Sequence, residues 1–350
     1  MKFKKKNFTR ILEYSHELSN NYRLNNINVR KPDKKDIEIV EEILNFISNN
    51  KIIYKNFGGE WEYLNKNKRQ VYLKALFDLD KKKLAFMFSN LFKNNASYGM
   101  VTPSFADVKN EKKFISQILR DIDASIEFSN LKYLRQIGVD IKIGNPFGIR
   151  IKDKVIMPDS PRHFYFANKI KNFTKNKKKL KILEIGGGYG GLIKILLNST
   201  KKNITFFSID LLEGIFIQYY FLRKSGFKVN LINKIENIKK NQINLIPFSK
   251  SLRELKKIGK CDLVFNSRSF SEMNKSILNK YIEIINSKIK PQYIYHENSN
   301  FLLYPKSKRH VEILGKDFKF SKKKYLIENI SLSPFSGGSG RYREFFLKRK

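Results

Sequence analysis

Residues 184–191 read Glu-Ile-Gly-Gly-Gly-Tyr-Gly-Gly, one carboxylate followed at once by a glycine cluster. Glycine takes positive φ without strain and lets backbone approach a ligand closely. A helix starting after such a turn offers unpaired N–H groups and a positive dipole end. Two spacings coexist in the run. Gly186, Gly188 and Gly191 satisfy G-x-G-x-x-G, which fits a dinucleotide. Glu184, Gly186, Gly188 and Gly190 satisfy E-x-G-x-G-x-G. The carboxylate discriminates between the two. Glu184 would repel a pyrophosphate and attract a cationic amino acid group. A turn with no ligand would carry the entropic cost of these glycines without a use.

Further polar residues stand where apolar runs end. Asp210 follows the run 204–209, where an acid can accept both ribose hydroxyls of a nucleoside. The interval from the first strand is longer than the usual ~20 residues, and Glu213 is the alternative acid. Asn266 and Ser267 open the run Asn-Ser-Arg-Ser-Phe-Ser-Glu-Met, which ends at Met273. Residues 295–300 read Tyr-His-Glu-Asn-Ser-Asn. The ligand favoured by Glu184 is S-adenosylmethionine. The cofactor-binding set is then Glu184, Gly186, Gly187, Gly188, Tyr189, Gly190, Asp210, Asn266 and Ser267. Methyl transfer to a hydroxyl needs a proton acceptor. His296 and His163 are the candidates, because His16 and His310 lie in basic, unpatterned segments. His296, Glu297 and Asp262 could together hold a divalent cation, but no metal-ligand spacing supports this and no metal is expected.

These residues need particular elements to position them. From residue 180 apolar runs alternate with helical patterns. Strands are expected at 180–185, 204–209, 262–266, 292–296 and 342–347. Residues 229–232 and 243–248 are both expected as short strands, one of them the third of the series. Helices are expected from the glycine turn to 198, and over 212–224 and 271–287. This alternation predicts an α/β, Rossmann-like doubly wound sheet, whose ligands bind beyond the carboxyl ends of the strands. Before it, apolar periodicity predicts helices over 36–47, 61–79, 84–92 and 112–134. Residues 138–157 read as a small β-hairpin with its turn at 144–146. Asp159-Ser160-Pro161 reads as the cap of a helix through 170 that carries His163. A basic linker at 171–179 sets the expected domains at 1–175, a helical cap, dimerisation or acceptor region, and 176–350, the ligand-binding domain. The serine–glycine stretch within 331–343 reads as a lid or a plain loop.

The run Ile182 to Gly191, together with Asn266 to Met273, resembles the bacterial sugar O-methyltransferases, a class I S-adenosylmethionine-dependent family. The resemblance covers the C-terminal half well and the N-terminal half loosely. It implies methylation of a sugar hydroxyl in surface-polysaccharide synthesis. The acceptor would be a nucleotide-linked or lipid-linked sugar or glycan. It also implies that Glu272 lies in the active-site region, a third candidate base.

The composition bounds the partners. Lys and Arg exceed Asp and Glu by 38 charges in 350 residues, which raises nucleic acid or an anionic membrane as a partner. The lysines are spread along a chain also rich in Asn and Ile, as an AT-rich coding sequence would produce. No RNA-binding module and no Asn-Pro-Pro-Tyr-like segment follows the fourth strand, so a specific nucleic acid is not expected. Cys261 is the only cysteine, which excludes an intrachain disulfide. The basic start lacks an apolar signal core, and no run approaches the ~18 apolar residues of a membrane span. A cytoplasmic protein is expected, with peripheral contact at an anionic membrane and homo-oligomerisation left open. The alternative reading is a nucleic-acid or other small-molecule methyltransferase, and a nicotinamide oxidoreductase and a non-catalytic binding protein follow it. Glu184 argues against the oxidoreductase, and the polar strand ends argue against the binding protein.

Overall fold

The computed structural model describes residues 29–51, 60–108, 111–127, 137–301, 313–335 and 340–350. His16, His310, the tail of the 112–134 helix and most of the serine–glycine stretch lie outside them. The described residues begin with helices α1 Lys34–Asn49, α2 Glu60–Asn67, α3 Gln70–Phe77, α4 Lys81–Ser89 and α5 Glu111–Glu127. α1 starts with a capping box: Asp33 accepts the Asp36 N–H, and Asp36 accepts the Asp33 N–H. The single helix expected over 61–79 is two. Arg69 is drawn into the interior between them, where its Nε donates to Ala96 O at 3.0 Å. Strands β1 Val139–Asp140, β2 Ile149–Ile151 and β3 Lys154–Ile156 form a small antiparallel sheet in the order β1-β3-β2. A hairpin does lie within 138–157, but it joins β2 to β3 with its turn at Lys152, whose φ is +56°, and not at the expected turn 144–146.

α6 Ser160–Phe173 follows, with Pro161 in its first turn. Asp159 does not cap it with its side chain. That carboxylate instead accepts from Arg162 and from the Thr102 N–H. The alternating part then runs β4 Lys179–Ile185, α7 Gly191–Asn198, β5 Asn203–Asp210, α8 Leu212–Lys224, β6 Val229–Leu231, β7 Ile243–Pro247, α9 Phe248–Ile258 and β8 Leu263–Ser267. It closes with α10 Ser269–Glu272, α11 Lys275–Ile284, β9 Tyr293–Ser299, β10 Tyr325–Leu332 and β11 Tyr342–Arg349. The helix expected over 271–287 breaks after Glu272, because the Asn274 side chain caps a new start by accepting from the Ser276 N–H.

The eight strands form one sheet in the order β10-β11-β9-β8-β4-β5-β7-β6. β4 pairs in parallel with both β5 and β8, so the winding direction reverses there. Only β11 runs against its neighbours, wedged between β9 and β10. Both runs considered for the third strand join the sheet: β7 pairs with β5, and β6 pairs with β7 at the edge. The chain is therefore a Rossmann-like doubly wound α/β protein preceded by helices and a small hairpin.

Strand alternation sends side chains to two cores. Ile182, Phe206, Leu245, Phe265 and Tyr295 face one, with α6, α7, α8 and the N-terminal helices. Leu183, Phe207, Ile246, Val264 and Ile294 face the other, with α9 and α11. The first core is continuous from Ile39 to Phe346, across residues 175–176. Phe88 of α4 stacks on Tyr220 of α8 with ring centroids 4.9 Å apart. Tyr220 and Tyr219 also donate to Asp36 and Glu42 of α1, at 2.7 and 2.6 Å. No helix among the described residues is long and apolar enough to cross a membrane.

Candidate functional site

The crevice at the β4 reversal is where the topology directs a ligand. β4 delivers Glu184, and the chain then turns through Gly186 (φ +77°), Gly188 (φ +57°) and Gly190 (φ +92°) into α7. Positive φ at three alternate positions is the physical reason for glycine there. Gly187 is required by space instead. A β-carbon on it would fall 2.6 Å from Ser208 Oγ and 3.0 Å from Glu184 Oε2. β5 delivers Asp210. Its carboxylate accepts from the Leu211 N–H at 2.7 Å, the Gly188 N–H at 3.1 Å and Gln218 Nε2 at 3.1 Å.

Glu184 and Asp210 are neighbouring acids away from water. Burial, with the Asp210 charge adding, pushes the Glu184 carboxyl up to about 8, and Arg162 opposes this. Burial pushes Asp210 up to about 7 against its backbone hydrogen bonds. Glu184 is 3 % exposed, and its Oε2 has no hydrogen-bond partner.

The crevice has two lobes that meet at Trp61, Gly186, Asp210, Ser269 and Glu272. One lobe encloses about 520 Å³ and is walled mainly by apolar side chains, among them Ile209, Leu211, Phe248, Ile277 and Tyr281. The other encloses about 810 Å³ and is polar. It takes Glu184, Gly187, Gly188 and Tyr189 from the glycine turn, Arg162 and His163 from α6, Ser267 and Arg268 after β8, and Tyr342 of β11. Trp61 reaches the junction from α2, and its indole Nε1 donates to Glu272 Oε2 at 3.1 Å.

An ion network floors the polar lobe. Glu297 is fully buried and accepts from the Ser267 hydroxyl at 2.8 Å. Arg268 Nε lies 3.4 Å and Arg162 Nη1 3.6 Å from the same Glu297 oxygen. Burial would raise the Glu297 carboxyl, but Arg268 and Arg162 outweigh it and hold it below its ordinary value. Arg268 has φ +69°, and its N–H donates to Glu297 O at 2.6 Å. Its guanidinium lies 4.1 Å from the Tyr342 ring centroid. Left-handed backbone at a non-glycine residue is strain of the kind found at functional sites.

Several candidates from the sequence do not reach the crevice. His296 is the main correction. β9 extends to Ser299, so the polar run 295–299 is strand rather than strand-end loop. Alternation turns Glu297 toward α6 and His296 to the opposite face. There the imidazole packs against Phe318, Phe320 and Phe345, and burial pushes it down to about 3. It is therefore neutral near pH 7 and lines neither lobe of the crevice. His296→Phe should leave catalytic activity unchanged. It should also lessen the loss of stability as pH falls from about 6.5, because the unfolded chain binds the proton more readily than the folded one. pH-dependent thermal unfolding beside an activity assay checks both.

Asn266 joins strand ends instead of lining the crevice: it donates to Ile185 O at 2.8 Å and accepts from Asn298. Gly190 lies against Leu222 as the N-cap of α7. Glu213 turns toward α2, where it accepts from Asn65 at 2.6 Å. Asp262 precedes β8 at the sheet's other end and accepts the Lys181 N–H, so it does not converge with His296 and Glu297. No group of three metal-ligating side chains occurs among the described residues. His163 does line the polar lobe, set against Gly191 and 3.4 Å from the Tyr189 hydroxyl. Burial, with Arg162 and Arg268 adding, holds it well below the ordinary histidine range, so it is neutral.

Sequence reasoning missed Trp61, Arg162 and Phe248. Phe248 follows β7 directly, and the strand-end rule applied there would have found it. Arg162 precedes His163 on the helix already singled out. Nothing in the sequence marks Trp61.

No protein-family model matches the chain, and no curated protein does. Solved structures with similar folds include the small RNA methyltransferase HEN1, at 15 % identity and TM-score 0.40 over 54 % of this chain. The chain spans 25 % of HEN1. Another is magnesium protoporphyrin IX methyltransferase from Synechocystis PCC 6803 with bound SAM, at 12 % identity and TM-score 0.39, covering 66 % of this chain and 97 % of that one. The Listeria monocytogenes protein lmo1582, assigned as a class I S-adenosylmethionine-dependent methyltransferase, has 13 % identity and TM-score 0.38 over 90 % of this chain and 87 % of its own. Likeness at this level carries no argument about chemistry, which rests on the crevice itself.

Proposed function

We propose that the chain is an S-adenosylmethionine-dependent methyltransferase and that its acceptor is a sugar hydroxyl. The observation that carries the cofactor is the unpartnered Glu184 carboxylate oxygen beside the glycine turn. A buried acceptor left unpaired is costly unless a ligand completes it, and a ligand ammonium would do so. The rest of the crevice fits the same group. A β-carbon on Gly188 would meet nothing nearer than Met100 O at 4.0 Å, which leaves room for close ligand approach. Asp210 stands at the junction to accept from ribose hydroxyls, and the apolar lobe suits a purine.

The bound cofactor would supply an activated methyl group on a sulfonium. The protein's part is alignment and removal of one proton. Glu272 stands at the junction of the lobes, held by Trp61, and is the group proposed to take that proton. Glu272 would take the proton of the acceptor hydroxyl, whose oxygen receives the methyl group the cofactor would supply. His163, neutral and set against α7, would pack beside the glycine turn. The sugar acceptor rests on the resemblance of residues 182–191 and 266–273. The polar lobe, with Thr102, Ser267 and Arg268 in its walls, supports it.

Calorimetric titration with S-adenosylhomocysteine and, separately, with NAD tests the cofactor. Binding of the first alone is expected. Binding of NAD alone would overturn the reading. Nucleotide sugars assayed with labelled cofactor then test the acceptor. Glu272→Gln should lower kcat by ~10²–10⁴-fold with S-adenosylhomocysteine affinity nearly intact. An unchanged kcat would remove Glu272 from the role.

A further inference from the structure

Two residues that line the same lobe each carry a buried side-chain atom without a hydrogen-bond partner: Glu184 Oε2 and Arg162 Nε. They belong to groups of opposite charge, yet the two side chains form no ion pair with each other. Each is held in place by other means. Glu184 ends a strand hydrogen-bonded on both sides, by β5 and β8. The Arg162 guanidinium is fixed at its tip, where Nη1 donates to Ser267 Oγ at 2.6 Å and Nη2 to Asp159 Oδ1 at 3.3 Å. Its Nε–H is left over.

An unsatisfied buried donor and an unsatisfied buried acceptor, on two residues that line one lobe, are a costly arrangement for a protein alone. It suits a ligand that brings both a cation and an anion a few ångströms apart. An α-amino acid group does this, with ammonium and carboxylate on one carbon. The guanidinium edge also matches a carboxylate in shape and charge. The charges balance as well. Asp159 and Glu297 already offset Arg162 and Arg268, and a zwitterion adds no net charge.

Resting on the methyltransferase reading, we infer that Arg162 binds the α-carboxylate of the cofactor's amino acid end, while Glu184 binds its ammonium. The amino acid end is thus gripped from two sides, by β4 beneath the glycine turn and by the first turn of α6. This makes α6 part of the cofactor site.

The test uses the full-length protein and two ligands: S-adenosylhomocysteine, and its decarboxylated analogue, which keeps the amine. The wild type should bind the analogue ~30-fold or more weaker. In Arg162→Gln the affinity for S-adenosylhomocysteine should fall to that of the analogue, while affinity for the analogue hardly changes. Equal wild-type affinity for the two ligands would overturn the inference whether or not the variant folds. So would an equal loss of both in the variant. A raised acceptor KM with intact S-adenosylhomocysteine affinity would assign the arginine to an acceptor anion and overturn it too. A wild type that binds neither ligand fails the methyltransferase reading itself, and this inference with it.

Discussion

Glu184→Gln is expected to weaken S-adenosylhomocysteine binding by ~30–1,000-fold, equivalent to about 2–4 kcal/mol, while stabilising the ligand-free protein at pH 8. Both effects come from one carboxylate. Burial and the Asp210 charge push it up to about 8, so the empty protein keeps it protonated over much of the neutral range. The sign follows from linkage. The folded chain binds this proton more tightly than the unfolded chain, so stability is greatest below the ordinary carboxylate range. It declines as pH rises from about 4.5 toward about 8. Glutamine does not titrate, so the variant should lose this contribution to the decline.

A ligand ammonium favours the ionised form. Wild-type binding at pH 7 should therefore release a proton, seen as a dependence of calorimetric enthalpy on the buffer's ionisation enthalpy. Asp210, raised to about 7, would add to the release when it accepts from ribose hydroxyls. The variant should release less. Full affinity in Glu184→Gln, with unchanged proton release, would break the link between this acid and the ligand.

Glu297→Ala should cost about 3–5 kcal/mol of stability, a fall in Tm of about 4–7 °C. Glu297 is fully buried between Arg162 and Arg268 and also accepts from Ser267. Removing it leaves two desolvated cations facing each other with one fewer anion. Such breakage is far more damaging than the modest net worth of the intact network suggests. Glu297→Gln should fall between, because the amide oxygen can still accept hydrogen bonds but carries no charge. Urea unfolding of the three proteins checks the order. A Glu297→Ala protein as stable as wild type would show that water or side-chain movement neutralises the site.

The sheet was largely legible because its strands are short apolar runs that alternate with helical patterns. The helix α8 Leu212–Lys224 and the strands β4, β5 and β8 fall within a residue or two of expectation. β10 was not foreseen. It is an edge strand whose Leu326, Ile327, Ile330 and Leu332 are exposed, so no alternation between a buried and a wet face marks it. α9 was also missed, between the end of β7 and Cys261.

His296 was misjudged through parity. β9 runs on to Ser299, its end fixed by pairing with β11 far along the chain, so His296 is a mid-strand residue that alternation puts on the face opposite Glu297. The glycine turn and the acids at the ends of β4 and β5 announce themselves locally. Arg162 and Trp61 do not, because each reaches the crevice by packing between elements distant in sequence. The expected division near residue 175 falls within one continuous apolar core, because helix packing, unlike composition, does not show in a linear reading.

Trp61 stands at the junction of the two lobes, and it is the chain's only tryptophan. Light absorbed at the red edge of the aromatic band therefore enters the molecule at a single point. That point touches Glu272 and both lobes at once. The emission colour and yield of this indole carry an optical record of what occupies the crevice, with no label attached.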